Sequence, residues 1–182
     1  MSLLLGFAPF IVFSIVAGTW GAAAALWIAA AITVVTILRT RRAHAQVKLL
    51  DAATLVLFAG LAAFVSFVRP DLGLFWVRLV VNVGLAAIAL GSILARRPFT
   101  LQYAREQVEP ALWNHPVFIA VNYRITAVWT ASFVVQAAVG AAPALPEFVR
   151  QGVSLAALAG AILFTIEYPK QVRARAAARA AS

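Results

Sequence analysis

The chain has 182 residues, 64% of them hydrophobic and 12% charged, with a net charge of +9 and no cysteine. Soluble domains carry about a quarter charged residues, so this composition excludes an ordinary soluble protein. The missing cysteines exclude disulfides, thiolate metal centres and cysteine nucleophiles.

Residues 3–38 contain no charge. As one straight helix they would run about 54 Å, too long for a single crossing of a hydrocarbon core roughly 30 Å thick. Gly18-Thr19-Trp20-Gly21 offers the break, since two glycines permit a turn and tryptophan suits the interface. This predicts a short first span over 3–17, with a kink at Pro9, and a second over 21–38. Residues 1–15 lack the basic n-region of a secretory signal, so the segment is expected to be retained. A third span covers 50–68 and stops at Arg69-Pro70-Asp71; a fourth covers 74–94. A fifth covers 117–139, and a sixth covers 149–168 before Pro169. The predicted fold is all-α: a polytopic transmembrane bundle of six spans, or five if the first is re-entrant. Residues 1–168 form one transmembrane domain and 169–182 a basic Ala/Arg-rich cytoplasmic tail.

Lysine and arginine are unevenly shared between alternate loops. Arg39, Arg41, Arg42, Lys48, Arg96, Arg97 and Arg105 fall in one set, with Lys170, Arg173, Arg175 and Arg179 in the tail. Only Arg69, Arg78 and Arg150 fall in the other, and Arg124 lies within a span. The positive-inside rule then puts the eleven, and the C-terminus, in the cytoplasm. Basic residues that flank spans imply anionic lipids as partners rather than nucleic acid.

Between spans four and five, Leu101, Ala104, Val108 and Leu112 recur at helical spacing. Arg105, Glu106 and Glu109 lie towards the other side. An amphipathic helix on the cytoplasmic interface is predicted, either a docking surface or a connector anchored by Tyr103 and Trp113.

Polar groups inside spans are costly and mark structural or functional contacts. In span five, Asn122, Thr126, Trp129, Phe133 and Gln136 share one face, which should meet other helices. By depth, Arg124 is expected to pair with Glu167 or Asp51, and Arg78, Asn82 and Gln136 to form an outer group. These eight residues other than the aromatics (Asp51, Arg78, Asn82, Asn122, Arg124, Thr126, Gln136, Glu167) are the candidate intramembrane site. They suit either a pathway or hydrogen-bond glue between helices. Gly152, Ala156 and Gly160 form a small-residue stripe suited to helix packing within the chain or in a homodimer. His115 and His44 lie in different loops, and no metal, cofactor or catalytic set is expected.

The N-terminal LLLGFAPFIVFSIV with Phe7 and Pro9, the pair Arg96-Arg97 before Pro98, and Asn122, Trp129 and Phe133 in NYRITAVWTASFVVQA carry a resemblance. Over about residues 3–166 the chain resembles the bacterial intracellular septation protein A family; the 100–115 loop and the tail depart from it. The resemblance implies a non-enzymatic inner-membrane protein acting in cell-envelope or septum maintenance, through contacts with envelope-assembly membrane proteins. The other expectation is a small transporter or lipid-handling protein that uses the polar groups of spans four and five. A wet central cavity lined by Asn82, Asn122, Arg124 and Gln136 favours transport, and a tightly packed bundle with these groups mutually satisfied favours the contact role.

Overall fold

A computed structural model describes residues 6–42 and 46–180. It is 82% helical, with no strand among the described residues. Seven α-helices follow in order among the described residues: α1 (Ala8–Val16), α2 (Ala22–Arg42), α3 (Leu49–Ala63), α4 (Leu74–Leu94), α5 (Phe99–Arg105), α6 (Pro116–Gly140) and α7 (Glu147–Ala180). Of the described segments, α2, α3 with its extension to Val68, α4, α6 and α7 are long and apolar enough to cross a membrane. The chain is thus compatible with a multi-pass membrane protein.

The first segment departs from the expected span. Its described helix has nine residues, about 14 Å at 1.5 Å per residue, and residues 3–5 of the predicted span lie outside the described residues. Pro9 does not kink it. It sits in the first helical turn, where a missing N–H leaves no hydrogen bond unmade. What α1 lacks in length it makes up in burial: Phe7, Phe10 and Phe13 are 1–3% exposed. Phe7 lies flat on Trp129 of α6 with ring centroids 3.8 Å apart, Phe10 meets Phe133 edge-on at 5.7 Å, and Phe13 meets Phe58 of α3 at 5.6 Å. Fully burying an aromatic or large aliphatic side chain stabilises by roughly 1.5–3 kcal/mol, so α1 is a central plug. The chain then reverses where expected, and Gly21 adopts φ +84°, a conformation that costs glycine alone nothing.

α3 ends in a wider turn, in which the Arg69 N–H reaches back five residues to the Phe64 carbonyl at 2.9 Å. α4 buries Val77, Val81, Leu85, Ala89 and Ser92, a stripe at spacings of three and four, and packs most extensively on α6. Gly84 lets α3 and α4 approach closely, since a Cβ there would fall 2.7 Å from a Leu57 methyl. α6 begins with His115 as its cap, whose Nδ1 accepts from the Val117 N–H at 3.3 Å, and with Pro116 in its first turn.

α7 is peripheral. It packs on α6, and only 6% of its apolar window is buried. It passes through Pro169 without ending, so the predicted boundary between span and tail falls inside one helix. The outer surface carries Val56 (74% exposed), Phe67 (80%), Leu94 (74%) and Phe148 (77%). Such side chains suit hydrocarbon, not water.

Candidate functional site

Polar side chains gather at the two ends of the bundle. At the end that carries the basic loops, α5 is tucked into the protein rather than laid on its surface: Phe99, Thr100, Leu101 and Tyr103 are all buried. The Tyr103 hydroxyl donates to Asp51 Oδ1 at 2.7 Å, and Asp51 is 3% exposed. Burial, reinforced by the neighbouring Asp51 carboxylate, holds the Tyr103 hydroxyl proton well above the ordinary tyrosine range. Lys48 places its ammonium 4.5 Å from the Tyr103 ring centroid and 2.9 Å from Glu106 Oε1. Gln102 Oε1 accepts from the Leu49 N–H at 2.7 Å. One layer deeper, Thr100 Oγ1 donates to the Asn122 carbonyl at 2.9 Å and lies 2.8 Å from Thr126 Oγ1. This end is closed by packed protein groups, although Asp51 Oδ2, Thr54 Oγ1 and Arg105 Nε are buried with no hydrogen-bond partner among the described residues.

The remaining members of the predicted docking segment are also held by the chain. The Trp113 indole N–H reaches the Arg105 carbonyl at 3.2 Å, and the Arg105 guanidinium sits 5.5 Å from the Trp113 ring. Glu109 is exposed beside a single 3₁₀ turn over Pro110–Leu112.

The expected pairing of Arg124 does not form. Arg124 is exposed, donates from Nη1 to the Tyr168 hydroxyl across the α6–α7 contact, and lies 5.8 Å from that ring. Glu167 bonds Lys170 at 2.7 Å instead, and Asp51 is taken by Tyr103. The reason is rotation about α7: adjacent residues point about 100° apart, so the turn that brings Tyr168 to α6 carries Glu167 away. The face predicted for α6 is buried throughout, from Asn122 to Gln136. Asn122 donates to the Phe118 carbonyl at 2.9 Å, Trp129 to Thr165 of α7 at 3.0 Å, and Gln136 to Ser132 at 3.3 Å. Gly152, Ala156 and Gly160 are exposed, and no atom lies within 4 Å of where a Cβ would stand on either glycine. The stripe therefore packs no helix of this chain, because α7 meets α6 through a different face.

At the opposite end lies a cavity of about 520 Å³. Its apolar lining comes from Phe10, Phe13 and Ile15 at the end of α1, Leu74 and Phe75 of α4, and Leu155 of α7. Its polar lining comes from Arg78 and Asn82 of α4, Gln136 of α6, and Glu147, Arg150 and Gln151 of α7. Arg78, Asn82 and Gln136 thus share a cavity as the depth argument expected, without bonding one another through their side chains. The Asn82 amide instead donates to the Arg78 carbonyl at 3.1 Å. Glu147 gathers the charges: it accepts from Arg78 at 3.5 Å, from Arg150, and from Gln151 at 2.8 Å. Two guanidinium groups therefore face one carboxylate. Asn82 Oδ1 and Arg150 Nε are buried and have no hydrogen-bond partner among the described residues, a costly arrangement for polar groups. Sequence reasoning overlooked Glu147 and Gln151 and counted Arg150 only as a loop charge. Their spacing of three and four at a helix start was the available signal.

Among the described residues, no group of three or more histidines, aspartates or glutamates is placed to hold a metal ion. No protein-family model, curated protein or solved structure matches the chain.

Proposed function

We propose that the chain is a non-enzymatic, multi-pass protein of the bacterial inner membrane that holds a lipid. The observation that carries this reading is the cavity of about 520 Å³, where aromatic and aliphatic walls meet a polar cluster. An open channel would need polar groups along its whole depth. Here the other end is sealed by the Tyr103–Asp51 and Thr100–Thr126 contacts. By the positive-inside rule the basic loops and C-terminus face the cytoplasm, and the cavity faces the outer leaflet. In this reading α1 is a sixth, shortened crossing through the protein interior. A helix surrounded by protein need not match the hydrocarbon thickness. The role in envelope or septum maintenance implied by the septation protein A resemblance would then be exerted through the held lipid.

Native mass spectrometry of the detergent-purified chain should find one lipid retained per chain. Ser154→Trp, which fills the cavity from α7, should release it without loss of helix content. A wild-type chain that retains no lipid under gentle activation refutes the reading.

A second reading is favoured by one observation: the Gly152, Ala156 and Gly160 stripe is exposed on the least buried long helix. Small residues allow close backbone approach between membrane helices. In that reading α7 contacts an envelope-assembly membrane protein or a second copy of the chain.

A further inference from the structure

We propose that the head group bound in this cavity is an anionic phosphodiester; the proposal rests on the lipid-holding reading above. The charge balance asks for an anion, since Arg78 and Arg150 face one carboxylate, Glu147. Glu147 is already engaged, with Oε1 accepting from Arg78 and Gln151 and Oε2 from Arg150. The Arg78 and Arg150 side chains stay 33% and 23% exposed, and a guanidinium edge is shaped for phosphate.

The apolar lining selects a lipid over a free anion. Ile15 and Leu155 line the cavity and are 68% and 65% exposed, so its edge is apolar and opens on the surface that would face hydrocarbon. Acyl chains can leave the cavity past these residues while the head stays at Arg78 and Arg150. A water-soluble anion gains nothing from Phe10, Phe13, Leu74 and Phe75.

The test uses the full chain in detergent, offered phosphatidylglycerol, phosphatidylethanolamine and phosphatidylcholine in turn, with bound lipid counted by native mass spectrometry. Phosphatidylglycerol should bind tightest. Arg78→Gln with Arg150→Gln should weaken it at least tenfold, the order expected for losing charge-assisted hydrogen bonds. Arg175→Gln, which removes a charge from the distal end of α7, should change it less than twofold, a surface-level effect. Glycerol 3-phosphate at millimolar concentration should fail to displace the lipid; displacement at the lipid's own concentration overturns the lipid as occupant. Equal binding of phosphatidylcholine and phosphatidylglycerol overturns the head-group assignment and leaves lipid holding standing. Binding of none of the three overturns both.

Discussion

Tyr103 donates its hydroxyl hydrogen to Asp51 across 2.7 Å at a point where both residues are buried. The bond joins α5 to the start of α3, two elements 52 residues apart in the chain. Gly6 lies directly against the Tyr103 ring. The entry to α1, the first turn of α3 and α5 are therefore locked by one side chain, and three expectations follow from it.

Tyr103→Phe removes the donor and leaves a buried carboxylate oxygen with one partner fewer. A group left unsatisfied in this way costs about 1–3 kcal/mol. Thermal unfolding in detergent should show that loss, and Asp51→Asn combined with Tyr103→Phe should be less than additive.

Gly6→Ala should disturb the same lock from the opposite side. A Cβ at Gly6 would stand 2.6 Å from the Tyr103 hydroxyl oxygen and 2.9 Å from the ring, and such overpacking costs about 1–3 kcal/mol. Gly160→Ala, where no atom lies within 4 Å, should stay within about 0.5 kcal/mol of wild type. Equal effects of the two substitutions would mean that Tyr103 is not in contact with α1.

The alkaline limb of stability has a defined sign. The folded chain holds the Tyr103 proton above the ordinary tyrosine range, whereas the unfolded chain loses it near 10. The contribution is therefore fully present below about pH 10 and shrinks as pH rises beyond it. Thermal unfolding in detergent measured above about pH 10 should show this decline, and Tyr103→Phe should flatten it.

Arg124 provides a contrast. It was the basic residue that the loop count left unexplained, yet it ends on the protein surface beside Tyr168. Exposed contacts of this kind contribute about 0–1 kcal/mol. Arg124→Ala should shift detergent stability no more than that, while Trp129→Ala, one and a half turns further along the same helix, should cost about 3–5 kcal/mol. Trp129 is fully buried, stacked on Phe7 and bonded to Thr165.

Helix positions were legible because they depend on local quantities. The apolar run from Leu74 to Leu94, the breaker at Arg69-Pro70-Asp71 and the glycine turn before α2 each act within a few residues. The buried face of α6 was legible for the same reason, since Asn122, Thr126, Trp129, Phe133 and Gln136 follow helical spacing. Of the six spans read from the sequence, five are membrane-length helices among the described residues, and sequence alone determined their breaks and the inward face of the fifth predicted span. The tertiary structure decided the rest: that α1 is a buried plug, that Tyr103 rather than Arg124 meets Asp51, and that α7 turns its glycine stripe outward. It also brought Glu147 and Arg150 to Arg78, from a helix that begins 69 residues later in the chain. Such pairings depend on how far each helix is rotated when it packs. One residue of rotation, about 100°, exchanges Tyr168 for Glu167, and hydrophobic periodicity carries no information about which of them meets α6.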